Sequence, residues 1–128
     1  MKIEHLALWT QDLEKLRAFY LEHLGCSSGP KYTNPTTGFS SYFLSFPKGG
    51  ARMEIMTKSG LQPINPAAPG CGYAHFALSL GSEENVRAMT DVLRKKDVPV
   101  RSEPRRTGDG YYESVITDPD GNWIELTV

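Results

Sequence analysis

Four side chains with metal-binding chemistry occur in two pairs along the chain. His5 and Glu54 form the first pair, and His75 and Glu125 form the second. The histidines lie in similar segments, IEHLAL and YAHFAL, about seventy residues apart, and the glutamates lie in similar segments, ARMEIM and NWIELT, at nearly the same separation. Recurrence at a fixed distance indicates an internal duplication. The sequence therefore predicts two copies of one module, each carrying a histidine and a glutamate.

Strand alternation places these four residues on equivalent faces. In each predicted strand the histidine or glutamate alternates with aliphatic residues, so it points away from the apolar side. A carboxylate that faces a cavity is costly unless a cation neutralises it, and two such carboxylates also repel each other. Two imidazoles and two carboxylates suit Zn, Ni, Co, Fe or Mn. We therefore predict one divalent cation, with these ligands: His5, Glu54, His75 and Glu125.

The elements that would position the ligands repeat as well. A helix with Asp12 as its N-cap and Gly25 at its end follows the first histidine strand. Its counterpart begins at Ser82, carries Val86, Met89 and Leu93 at helical spacing, and stops near residue 97. Aromatic and β-branched segments at 42–46, 98–100 and 111–117 predict further strands.

These elements predict an α+β fold in a single domain of 128 residues. Two tandem βαβββ modules, residues 1–58 and 72–128, are expected to form a curved mixed sheet around a metal cleft with pseudo-twofold symmetry. A proline-rich linker at 59–71 joins them. The segment 26–38 is predicted to be a long irregular loop, of the kind that often covers binding sites.

Composition excludes several classes of protein. Fourteen basic and fifteen acidic residues in mixed order leave no basic stripe for nucleic acid. No apolar run is long enough to span a membrane, and the N-terminal segment lacks the features of a signal peptide, so a cytoplasmic location is expected. Cys26 and Cys71 lack CxxC spacing and are expected to be reduced.

Other polar residues have competing interpretations. His23 has no counterpart in the second copy, so solvent or packing at the helix end is expected for it. Cys71 in a Pro/Gly segment is either an ordinary thiol or a catalytic one. Arg105 and Arg106, predicted to lie in the loop before Gly108, either attract an anionic substrate or are ordinary surface arginines.

Several motifs resemble the superfamily of glyoxalase I, bleomycin-resistance proteins and extradiol dioxygenases, the vicinal oxygen chelate proteins. They are HLAL at 5–8, FY at 19–20 ahead of LG at 24–25, AHFA at 74–77 and DPDGNWIE at 118–125. The resemblance covers nearly the whole chain. A His/Glu/His/Glu set is similar to that of glyoxalase I, whereas dioxygenases and fosfomycin-resistance enzymes use two histidines and one glutamate.

The resemblance to glyoxalase I implies a lactoylglutathione lyase-like reaction, in which a glutamate ligand moves a proton between neighbouring carbons of a hemithioacetal. It implies Glu125 as the base and Glu54 as its counterpart. The metal it implies is Ni, Zn or Co, with nickel favoured in compact chains. A Lewis-acid cation beside the carbonyl stabilises the enediolate charge that proton abstraction creates.

The sequence differs from glyoxalase I at positions where that enzyme binds glutathione. Trp9 and Lys58 stand where glyoxalase I tends to carry Arg and Asn, which leaves the use of glutathione open. We expect an aromatic substrate-binding rim instead. Its candidate members are Trp9, Lys58, Tyr111, Tyr112 and Trp123.

The motifs are also compatible with two other functions and with a dimeric assembly. A non-catalytic drug-binding protein of the bleomycin-resistance type would use the same modules, although such proteins usually lack the four ligands. A ring-cleaving dioxygenase is less favoured, because Glu54 would fill a position that oxygen or substrate needs. The resemblance and the need to cover sheet edges together predict a homodimer that binds a small-molecule substrate.

Overall fold

The computed structural model describes residues 1–63 and 70–128 of the chain. Two compact units are present, one of residues 1–63 and one of residues 64–128. Each unit contains one helix packed on one sheet. The predicted modules fall one in each unit, and part of the predicted linker, residues 64–69, lies outside the described residues.

The first unit follows the predicted β-α-β-β-β order with one additional short strand. Its elements are β1 (His5–Trp9), α1 (Leu13–Leu24), β2 (Ser27–Ser28), β3 (Tyr32–Thr33), β4 (Ser40–Ser45) and β5 (Arg52–Thr57). The sheet order is β1-β5-β4-β2, and β3 also pairs with β4. The predicted loop at 26–38 therefore contains two short strands, because both of its arms pair with β4.

The second unit has the same plan. Its elements are β6 (His75–Ser79), α2 (Glu83–Lys95), β7 (Val100–Arg106), β8 (Tyr112–Thr117) and β9 (Trp123–Thr127), and its sheet order is β6-β9-β8-β7. In both units the first strand runs parallel to the last. The predicted α+β fold with two βαβββ modules is confirmed.

Local signals set the helix ends as predicted. The Asp12 side chain accepts a hydrogen bond from the Lys15 amide at 3.0 Å, and Gly25 ends α1 with a φ of 68°. The Ser82 hydroxyl caps α2 through the Asn85 amide at 3.2 Å. Within residues 1–63 and 70–128, neither helix has the length and apolarity needed to cross a membrane.

The helix-facing side of each sheet forms the core of its unit. Fully buried side chains lie there: Leu44, Met53 and Ile55 with Leu16 and Tyr20 in the first unit, and Ile116, Ile124 and Leu126 with Val86 and Leu93 in the second. In α2 the predicted core residue Met89 is only half-buried, and Thr90 is buried instead. Thr90 is accommodated because its hydroxyl donates to the Val86 carbonyl and also bonds to Ser114, both at 2.7 Å. The opposite face of each sheet carries the candidate ligands.

Candidate metal centre

The second unit brings its two candidate ligands into contact. Ala77 on β6 pairs with Glu125 on β9, so His75, two residues before Ala77, lies on the same face as Glu125. His75 Nε2 is 3.3 Å from Glu125 Oε2. The Glu125 side chain is 16% exposed and that of His75 is 43% exposed, so the carboxylate is the more shielded partner. These two predicted ligands are therefore neighbours, and their role in metal binding stays a prediction.

The environment of Glu125 favours proton binding. Burial raises the pKa of its carboxyl group, and the nearby Glu113 carboxyl raises it further, while His75 acts in the opposite direction. Glu113 lies two residues from Val115, the cross-strand partner of Glu125, so both carboxyls share one face. Sequence reasoning missed Glu113, because its proximity depends on the register between β8 and β9.

Arg105 is the cation that faces this carboxyl pair. It lies opposite Glu113 on β7, with its Nη2 atom 3.7 Å from Glu113 Oε1. The prediction that Arg105 and Arg106 lie in a loop is wrong, because antiparallel pairing with β8 extends β7 through both residues. Arg106 instead bonds to Glu83 of α2. Consecutive residues of a strand point to opposite faces, so only Arg105 is on the side of Glu125.

The first unit repeats the register but not the contact. Ala7 pairs with Glu54 and His5 pairs with Arg52, as in the second unit. However, His5 Nδ1 bonds to Glu4 at 2.5 Å, and Arg52 Nε donates to the same carboxylate at 2.8 Å. These hydrogen bonds, first from His5 and then from Arg52, lower the pKa of Glu4. Among the described residues, the Glu54 carboxyl forms neither a hydrogen bond nor an ion pair.

Each unit thus supplies one half of the predicted ligand set. Within residues 1–63 and 70–128, no three His, Cys, Asp or Glu side chains are close enough together to hold a metal ion. The complete four-ligand centre therefore stays a prediction.

The candidate substrate residues divide between the two faces of the sheets. Trp9 lies on the face of His5, with Lys58 Nζ 4.8 Å from its ring centroid. Trp123 pairs with His75 in register, and the Arg101 guanidinium lies 4.0 Å from its ring centroid. These three predicted residues, Trp9, Lys58 and Trp123, are thus on or beside the faces that carry the candidate ligands.

The two predicted tyrosines behave differently. Tyr111 precedes β8 and is 63% exposed. Tyr112 lies on the helix side of the sheet, where its hydroxyl accepts a hydrogen bond from Arg87 of α2 at 2.9 Å. It is in phase with the buried Ser114, and therefore it points away from His75 and Glu125. The structure does not group Tyr112 with the candidate site.

His23 and the two cysteines are the other candidate reactive side chains. The His23 ring packs edge-on against Phe19 of the same helix at 5.1 Å, in agreement with the predicted packing near the helix end. Both cysteines are free, as expected. Cys26 is buried, which raises its pKa to about 11, whereas Cys71 is exposed.

Comparison with known proteins identifies the family. Residues 2–126 match the model of the Glyoxalase/Bleomycin resistance protein/Dioxygenase superfamily. The chain belongs to this superfamily. Among curated superfamily relatives, mitochondrial methylmalonyl-CoA epimerase of Bos taurus is 27% identical over 113 residues, which make up 84% of this chain and 61% of the relative. The chain thus spans less than two thirds of the length of that relative.

Solved superfamily structures agree on the fold. Glyoxalase I from Zea mays superposes with a TM-score of 0.81 and 23% identity, over 98% of this chain and 44% of that one. Leishmania major glyoxalase I gives a TM-score of 0.77 and 24% identity, over 99% of this chain and 86% of the other. At this level of identity the matches show the fold.

Proposed function

We propose that this superfamily member is a metal-dependent enzyme of the glyoxalase I type, a lyase or isomerase that moves a proton next to a carbonyl of a small oxygen-chelating substrate. The observation that supports it best is the repeated register of histidine and glutamate in the two units. A shielded carboxyl in contact with an imidazole, at 3.3 Å in the second unit, adds the chemistry that such a reaction needs.

The donor set fits a divalent cation. The proposed ligands are His5, Glu54, His75 and Glu125. Burial and the neighbouring Glu113 disfavour the Glu125 anion, and a cation bound there would offset that cost. When bound, an ion such as Ni, Zn or Co would supply Lewis-acid stabilisation of the negative charge that develops on the substrate oxygens.

Glu125 is the proposed base. Its raised pKa makes the carboxylate a stronger proton acceptor than an exposed glutamate and brings that pKa closer to neutral pH. His75 contacts one of its oxygens and thereby restricts its orientation. Glu54, which lies in the first unit, is the proposed counterpart of Glu125 in proton transfer.

The proposed assembly is a homodimer. Each unit carries only two of the four ligands, and both sheets end in edge strands that a second copy can cover. The metal site would lie either in one chain or between two copies. Light scattering gives the oligomeric state, and mixing His5→Ala chains with His75→Ala chains distinguishes the two sites. Recovery of metal in the mixed sample would require a shared site.

A second candidate reaction is epimerisation of an acyl thioester, for which the 27% identity to methylmalonyl-CoA epimerase is the supporting observation. An epimerase removes a proton from the carbon next to a carbonyl and returns one to the opposite side. Two carboxyl groups such as Glu54 and Glu125 serve this exchange. Incubation with methylmalonyl-CoA in deuterated water detects it as deuterium incorporation at that carbon.

The central test is metal analysis followed by turnover. Protein purified without chelators should contain about one divalent ion per chain and should lose activity with its removal. The assay begins with methylglyoxal and glutathione and continues with other thiols, α-hydroxycarbonyl compounds and acyl-CoA thioesters. Metal-free protein from metal-replete cells would overturn the site. Tight binding of an aromatic drug without turnover of any substrate would favour the non-catalytic binding protein.

A further inference from the structure

The open face of the first unit carries a row of side chains beyond Glu54. Tyr32 on β3 pairs with Ser41 on β4, Ser41 pairs with Met56 on β5, and Met56 pairs with Trp9 on β1. Cross-strand partners share a face, so these four residues form a line across the sheet. Met56 follows Glu54 by two residues, which places the line on the ligand face and about 7 Å from Glu54.

Two residues of this line are aromatic, and the ring of Phe39, two residues before Ser41, contacts both of them; we call Trp9, Phe39 and Tyr32 the aromatic row. The ring centroid of Phe39 is 6.1 Å from that of Trp9 and 6.1 Å from that of Tyr32. Trp9 is 46% exposed and Tyr32 is 56% exposed. Contiguous aromatic surface in contact with water marks a binding surface rather than a core, because burial of these rings against a ligand is favourable.

A cation without a counter-ion lies at one end of the row. Lys58 Nζ is 4.8 Å from the Trp9 centroid, and among the described residues it makes no ion pair. Two other cations of the first unit are neutralised, since Lys31 binds Glu14 at 2.9 Å and Arg52 binds Glu4. The stacking of Lys58 on Trp9 holds the ammonium at the ring without removing its charge.

We propose that the aromatic row binds a planar aromatic or conjugated group that carries an anionic substituent, with the ring against Trp9 and Phe39 and the anion at Lys58. The proposal rests on the proposed function, since it names the substrate class of the same site. Met56, the cross-strand partner of Trp9, is about 7 Å along β5 from Glu54, so a small aromatic acid on the row can extend its remaining oxygens towards the ligand pair.

The test uses Trp9 as its own reporter. In a Trp123→Phe background Trp9 is the sole tryptophan. Its emission is titrated with 4-nitrobenzoate, with the neutral 4-nitrobenzamide and with acetate. We expect saturable quenching by 4-nitrobenzoate, a dissociation constant about tenfold larger for the amide, and no response to acetate. Equal affinity for the two aromatic probes, or no quenching by either, would overturn the proposal.

Variants of Lys58 test whether this residue binds the carboxylate of the probe. Lys58→Met should remove the preference for the acid over the amide, Lys58→Arg should keep it, and Lys48→Met, at an exposed turn of the same unit, should leave it unchanged. Phe39→Leu should weaken both aromatic probes. A preference that persists in Lys58→Met would place the anion elsewhere, for instance on a bound metal, and would refute the assignment to Lys58.

Two further outcomes separate this proposal from the proposed function. Lys58-dependent binding in a protein that holds no metal and turns nothing over would leave the aromatic row standing and overturn the enzyme. Turnover of a substrate by a protein that binds the acid and the amide equally well would leave the enzyme standing and overturn the aromatic row. Emission of Trp9 that follows protein concentration but none of the probes would assign the row to contact between copies and would overturn its role in ligand binding.

Discussion

The two units hold equivalent histidines in different ways. His75 lies beside Glu125, whereas His5 bonds to Glu4 although Glu54 occupies the equivalent place in the ladder. The cause is two changes of residue. Alanine precedes His75 where Glu4 precedes His5, and Trp123 faces His75 where Arg52 faces His5.

This comparison separates what register decides from what neighbours decide. Register brings each histidine and glutamate to one face of their sheet. The nearby charges then decide which nitrogen is engaged. The bond from Glu4 to His5 Nδ1 leaves Nε2 available as a ligand, while His75 directs Nε2 at Glu125. The first unit thus orients its histidine, and the second unit orients its glutamate.

The largest expected effect separates the two glutamates. Glu125→Gln should lower kcat by about a hundredfold to ten-thousandfold, because the amide cannot accept the proton, and should retain more metal than activity. Glu54→Gln is the matched variant and should lower kcat less. Steady-state kinetics with metal analysis of both proteins provide the check. Full activity in metal-loaded Glu125→Gln would transfer the role of base to Glu54.

Metal removal should have the next largest effect. A metal present at a hundred times its dissociation constant stabilises the folded state by about 2.7 kcal/mol, so chelation should lower the melting temperature. His75→Ala and His5→Ala should each reduce both occupancy and this shift. Calorimetry with and without chelator measures it. If chelation leaves the melting temperature of the metal-containing wild type unchanged, the ion does not bind at the folded site.

Glu4→Gln should have a smaller effect, which tests the comparison directly. Loss of the carboxylate that orients His5 should weaken metal affinity by about tenfold, as loss of a ligand's hydrogen-bond partner typically does. Glu22→Gln, at an exposed position of α1, is the control and should not change affinity. Competition with a chromogenic chelator gives both constants. Equal affinities would mean that Glu4 does not prepare His5 for metal.

The smallest effect concerns the cysteines, one in each unit. Burial raises the pKa of Cys26 from 9.0 to about 11, so its thiol is neutral at pH 7 and a thiol reagent should label Cys71 alone in native protein. Because the pKa of Cys26 is higher in the folded protein, its contribution to the free energy of unfolding is fully present below pH 9 and is lost as the pH rises towards 11. The expected loss is about 1–2 kcal/mol.

Denaturant titrations at pH 8 and pH 10 measure this loss. Cys26→Ala should reduce the difference between the two pH values, whereas Cys71→Ala should not. Rapid labelling of both thiols at neutral pH in the native protein would contradict the burial of Cys26. Two labels should appear only after unfolding.

The sequence predicted the helices and ligand faces well because these depend on local signals. Capping by Asp12 and Ser82 and strand alternation around His75 need no knowledge of neighbours. The contact of Glu113 with Glu125 and the orientation of Tyr112 were not predicted, since both depend on where β8 starts and how it pairs. A shift of one residue exchanges the faces of a strand.

The short strands at 26–38 and the bond between Glu4 and His5 escaped prediction for related reasons. A two-residue strand is too short to display an alternating pattern, and β2 and β3 exist only because β4 offers an edge on which both pair. The His5 ring can turn towards several partners, and only the position of Arg52 in the ladder selects Glu4.

The parallel pairing of the first and last strands in each unit has a consequence for folding kinetics. β1 pairs with β5, and β6 with β9, so each histidine meets its glutamate strand only after the whole intervening module has been brought together. Closing such long loops is slow and belongs to the late part of folding. A metal that binds these residues should therefore slow unfolding far more than it accelerates folding.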